Sequence, residues 1–94
     1  MSYLFVQHKV KDYNAWKEVF DDFIDTRKAS GEKSFQILHP DKDPNNLLAI
    51  FEWDNLDNAR KFATGTELKN AMENAGVIER PEIYFLEEYA KGKV

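Results

Sequence analysis

The chain has 94 residues, is 43% hydrophobic and 32% charged, and carries a formal net charge of −4. That length fits one domain, residues 1–94, whose core is marginal alone, since a chain of this size buries only roughly two-thirds of its unfolded surface. The acidic balance and scattered Lys and Arg exclude nucleic acid and anionic membranes as partners. The lack of cysteine excludes disulfides, thiolate metal sites and Cys nucleophiles. No apolar run approaches the roughly 20 residues of a membrane span. Met1-Ser2-Tyr3-Leu4 lacks the basic region of a signal peptide, so the expected location is the cytoplasm.

Tyr3 to Val10 reads as a strand from its β-branched and aromatic content. Asp12 is the expected N-cap of a helix whose stripe is Tyr13, Trp16, Phe20, Phe23, Ile24 and Arg27, closed at Ser30-Gly31. Ser34 to His39 is a second strand, Pro40 to Asn45 a turn-rich loop, and Leu47 to Trp53 a third strand. Asp54 is placed to cap a second helix, with Asp57 completing a capping-box-like pair. Its stripe is Leu56, Ala59, Phe62 and Ala63. Thr64-Gly65 breaks it, Thr66 can cap a second piece, and Leu68, Ala71, Met72 and Ala75 continue the same face. After Gly76, the segment Glu79-Arg80-Pro81 leads into a last strand, Glu82 to Tyr89, and a loose tail. The order β-α-β-β-α-β defines an α+β, ferredoxin-like fold, an antiparallel four-stranded sheet with its helices on one face.

Strands covered on one side alternate apolar with polar. These do not. Leu4, Val6 and Val10 oppose Tyr3 and Phe5, and Leu47, Ala49, Phe51 and Trp53 oppose Leu48 and Ile50. In the last strand Ile83 and Phe85 oppose Tyr84 and Leu86. Helices can cover only one of two apolar faces, so the expectation is a homodimer through the open sheet face.

Three stretches carry a family resemblance: Val10 to Asp21 (VKDYNAWKEVFD), Phe51 to Asp54 with Ala59 to Phe62, and Gly76 to Glu82 leading into Phe85 to Glu88. The chain resembles the antibiotic-biosynthesis-monooxygenase superfamily of dimeric α+β barrels. The resemblance implies the fold and the dimer. It also implies a range of activities: cofactor-free oxygenases, haem-degrading enzymes, lactone isomerases, and proteins with no known reaction. The haem-degrading members carry a ligand His on the second helix, and the matching stretch Leu68 to Met72 has none. The expected cofactor is none.

His8 is the candidate catalytic residue, in phase with Leu4 and Val6. If their face meets the partner, His8 projects into an apolar cleft, where it can serve as base or hydrogen-bonding group. Phe35, His39, Phe51 and Trp53 are the candidate ligand-binding residues, and the expected ligand is small and apolar or aromatic. A working site of this kind measures several hundred Å³, on the order of 300–1,000. Arg27 is expected to lay its stem along the core edge with its head in water, with an anion-binding role as the lesser alternative. Asp41, Asp43, Asn45 and Glu52 fall at calcium-loop positions, but Asn46 replaces the required Gly and Pro44 intrudes, so no metal site is expected. Whether the chain is an enzyme is open. A cofactor-free monooxygenase or isomerase stands beside a non-catalytic binding or stress-associated module.

Overall fold

The computed structural model describes residues 2–78 and 80–94. The elements are β1 (Ser2–Lys9), α1 (Tyr13–Asp22), α2 (Ile24–Ser30), β2 (Glu32–Leu38), β3 (Asn46–Trp53), α3 (Leu56–Ala63), α4 (Thr66–Asn74) and β4 (Glu82–Glu87). The strands form one antiparallel sheet, as the element order predicts, and they lie in the order β2-β3-β1-β4. Leu4 on β1 pairs with Phe51 on β3 and Phe85 on β4, so inward positions fall in register across the sheet. Val10 extends β1 only as an isolated bridge to Val77. The last strand stops at Glu87, short of Tyr89. Of the approach expected to lead into it, Glu79 lies outside the described residues. Among the described residues no helix is long and apolar enough to cross a membrane.

Each expected helix is two pieces. Asp12 caps α1 as predicted, its carboxylate accepting from Ala15 N at 2.9 Å. The first helix breaks at Phe23 (φ −87°, ψ 5°), where no Gly or Pro announces it. The second breaks at Thr64-Gly65 as expected, with the Thr64 hydroxyl donating back to Arg60 O at 2.8 Å. Two caps differ from expectation by one residue. Asn55, not Asp54, caps α3, its side-chain oxygen accepting from Asn58 N at 2.8 Å. Asp54 instead accepts from Asn55 N and Asn58 Nδ2. Gly65 precedes α4 without a side-chain cap, and Thr66 is already helical.

The helices cover one face of the sheet. Leu4, Val6, Leu47, Ala49, Phe51 and Trp53 are buried there against Trp16, Phe20 and Ala59. The opposite face carries Tyr3, Phe5, Leu48, Ile50, Leu38, Tyr84 and Leu86, in register across the strands and outside the core cluster. Tyr84 is 51% exposed and Leu86 42%. Both sheet faces are thus apolar, and one is bare.

Gly31 ties the end of α2 to the entry of α3. Its φ of 127° lies where a side chain is strained, and its carbonyl accepts from Asp54 N at 3.0 Å. A Cβ there would meet the Asp54 carboxylate at 2.5 Å. Gly31→Ala is therefore expected to destabilise the protein by about 2 kcal/mol or more, read as a lower denaturant midpoint with an unchanged slope.

Candidate functional site

Strand alternation puts His8 on the same face as Leu4 and Val6, and that face is the helix-covered one. His8 therefore does not project into a cleft against a partner; it lies inside the protomer, 6% exposed. The reason is that Trp16 and Phe20 of α1 pack onto this face, and the His8 ring meets Trp16 edge-on at 5.7 Å. Neither ring nitrogen has a hydrogen-bond partner. Burial in hydrocarbon pulls its pKa down from 6.5 to about 4, so the imidazole is neutral at physiological pH.

Arg27 departs further from expectation. It does not reach water; it is 3% exposed. Trp16, Phe20, Phe23 and Arg27 share one stripe of α1 and α2, and the guanidinium lies 3.6 Å over the Phe20 ring. None of its three nitrogens has a hydrogen-bond partner. Its nearest counter-charge is Glu32, at 3.7 Å from Nε, too far for a hydrogen bond. Burial lowers the Arg27 pKa, and Glu32 and Asp21 pull it back up. Burial pushes the Glu32 carboxyl up to about 7, with Arg27 opposing the shift. One Glu32 oxygen, Oε1, is also without a partner.

His8 and Arg27 line one interior cavity between the sheet and the four helices. All the other residues around it are hydrophobic, among them Phe51, Phe62, Leu68 and Met72. Its volume is about 60 Å³, well below the several hundred expected. That exceeds the roughly 10–15 Å³ one water needs and falls short of the roughly 150 Å³ that holds a benzene ring. The wall of least resistance is α4, which has no buried residue, yet Leu68, Ala71 and Met72 of that helix face the cavity.

Of the sequence-predicted ligand residues, Phe51 joins this cavity. Phe35 points to the same side but sits at the sheet edge, 40% exposed, edge-on to Phe20 at 5.0 Å and not lining the cavity. Trp53 stands behind the cavity wall, packed on Phe62 at 5.2 Å, because it lies at the end of β3 and under α3. His39 lies away from the cavity: it is exposed beyond β2, with Nδ1 2.7 Å from Pro40 O. The cavity thus unites His8 and Phe51 with Arg27, which the sequence reading put in water. The available signal was its place four residues after Phe23 and seven after Phe20, a core position by helical spacing. Among the described residues no three His, Asp or Glu side chains converge on a metal position.

This architecture recurs in solved structures. A Bordetella bronchiseptica protein assigned to the antibiotic biosynthesis monooxygenases superposes with a TM-score of 0.76 at 9% identity, covering 95% of this chain and 97% of its own. A Methanosarcina mazei Go1 protein described only as conserved gives 0.71 at 13% identity, covering 95% and 94%. SnoaB of Streptomyces nogalater, a cofactor-independent oxygenase, gives 0.69 at 12% identity, covering 94% of each chain. No family model matches the sequence, and no curated protein matches it. The chain has the ferredoxin-like fold of the antibiotic-biosynthesis-monooxygenase-like proteins, shared over nearly its whole length.

The two shifted groups act on stability in opposite directions. Between pH 6.5 and 4 the unfolded chain takes up a proton that folded His8 refuses, so stability present above pH 6.5 is lost by about 3 kcal/mol as the pH falls. Between pH 7 and 4.5 folded Glu32 takes its proton before the unfolded chain does, so stability rises as the pH falls. In the wild type the two effects offset each other. Relative to it, His8→Leu should gain stability between pH 6.5 and 4.5, and Glu32→Gln should lose it. Denaturant midpoints across that range test this; parallel profiles for all three proteins would show that neither group titrates as described.

Proposed function

We propose that the protein is a cofactor-free enzyme that acts on a small aromatic or polyketide-like molecule in the interior cavity, as a monooxygenase or isomerase. One observation carries the reading: a neutral imidazole, unpartnered among the described residues, desolvated in a cavity whose lining is hydrophobic apart from it and Arg27. Buried polar groups ordinarily find partners, and an unpartnered imidazole on a cavity wall supports reading that cavity as a ligand site. The likeness in fold to a cofactor-independent oxygenase supports the same class.

His8 would accept a proton from a carbon already acidified by conjugation. A base with a pKa of about 4 needs such help. In isomerisation the imidazole returns the proton at a second carbon and nothing else is consumed. In oxygenation the anion left behind delivers its electrons to O2. A CH2 group becomes C=O, one oxygen atom enters the product, and the other leaves as water. Arg27, on the same cavity wall, would stabilise the negative charge that develops. Admitting a ring requires α4 to move outward, the displacement that costs least in buried contacts.

The low basicity of His8 also favours a second reading, a module that binds such a molecule without transforming it. In either case we propose that two copies pair through the bare sheet face, since Tyr3, Phe5, Leu48, Ile50, Tyr84 and Leu86 form an apolar surface suited to a sheet-on-sheet interface.

Turnover of anthrone- and quinol-type molecules by the wild type, with at least a roughly 100-fold loss in His8→Ala, is the expected result. Equal turnover in both would remove His8 from the chemistry. Saturable binding without turnover would establish the second reading. In sedimentation the species should have twice the 11.0 kDa chain mass at micromolar concentration, and Ile50→Lys should halve it. A stable wild-type monomer would refute the pairing.

A further inference from the structure

We infer that the interior cavity selects anions, taking a small planar ring that carries a carboxylate or enolate whose charged oxygens sit on the Arg27 guanidinium. The inference rests on the reading of this cavity as a ligand site and specifies what that site recognises.

The guanidinium carries five N–H donors in a planar fork. In this structure no acceptor meets Nε, Nη1 or Nη2, although the side chain is almost wholly buried. A buried cation without hydrogen bonds is costly, and removing that cost is what a bound acceptor would do. Phe20 lies 3.6 Å from the guanidinium carbon, and among the described residues nothing accepts along the in-plane N–H directions. Those are the directions that bind a carboxylate bidentately.

The resident counter-charge is poorly placed for that role. Glu32 approaches only Nε, at 3.7 Å and outside hydrogen-bond distance. It therefore leaves the Nη edge of the fork unanswered. Burial pushes its carboxyl up to about 7, so at neutral pH it is only partly ionised and competes weakly for the cation.

The remaining walls define the rest of the ligand. Trp16, Phe20, Phe51 and Phe62 offer aromatic surfaces, and apart from His8 no titratable side chain joins Arg27 in the lining. A hydrated ion such as phosphate would lose its water against these rings and find only one cation in exchange. A flat hydrocarbon ring with a single anionic end satisfies both halves of the site. With its charge on Arg27, such a ligand would also bring its conjugated carbons within the cavity that holds His8.

Benzoate and benzamide test this, because they share shape and differ in charge. Calorimetric titration of the full chain should show benzoate binding at least tenfold more tightly than benzamide. Arg27→Met should abolish that preference. Should that variant fail to fold, Glu32→Gln supplies the second arm: it removes the competing carboxylate and should tighten benzoate while leaving benzamide unchanged. Benzamide binding as tightly as benzoate, or Glu32→Gln shifting both alike, would overturn the anion preference and leave the cavity standing as a ligand site. Binding of neither would overturn both.

Discussion

The guanidinium of Arg27, buried flat on Phe20, is the contact around which the interior is arranged. It occupies a position that helical spacing reserves for a hydrophobic side chain, one turn beyond Phe23. A charge at that position cannot close-pack as Leu or Phe would. Its nearest acidic neighbour is Glu32, the first residue of β2, at 3.7 Å, and Phe20 and Phe35 supply aromatic surface. What remains unfilled beside it is the cavity, with His8 also on its wall. The core thus combines aliphatic side chains of the sheet, Leu4, Leu47 and Ala49, with an aromatic cluster around Trp16 and Phe20, and His8 and Arg27 are buried among them.

Those polar groups reach near-neutrality by different routes. His8 has no charged partner, and desolvation alone keeps it unprotonated. Glu32 has a partner, but at 3.7 Å the attraction does not overcome the cost of burying the carboxylate. Around pH 6 the interior therefore holds a neutral imidazole, a neutral carboxyl and one cation. A site with surplus positive charge and little water strengthens every interaction made with it, because the screening that weakens charges at a surface is missing.

Much of this was legible in the sequence, and the gaps have physical causes. Alternation correctly grouped Leu47, Ala49, Phe51 and Trp53 on one face and Leu48 and Ile50 on the other, and the sequence of elements pointed to one antiparallel four-stranded sheet. It could not say which face the helices take, because both are apolar, and that choice decides whether His8 lies within the protomer or against a neighbour. Arg27 was misjudged by residue type: a long cation at a helix end commonly reaches water, but here α2 turns after Phe23 and its stripe continues inward. The Phe23 break has no sequence signature, since it lacks Gly and Pro. The α3 cap slipped by one residue because Asp54 and Asn55 can both accept from the first turn, and Gly31 claims the Asp54 backbone.

The placement of α4 has a consequence of its own. It lines the cavity without a buried residue of its own, and it lies across the core from the bare sheet face. Whatever covers the sheet therefore does not obstruct the route by which a molecule would enter or leave. The α4 wall of the cavity and the bare sheet face are opposite surfaces of the protomer. Substitutions on α4 need not alter the sheet face, and a partner seated on that face would leave the α4 side of the protomer uncovered.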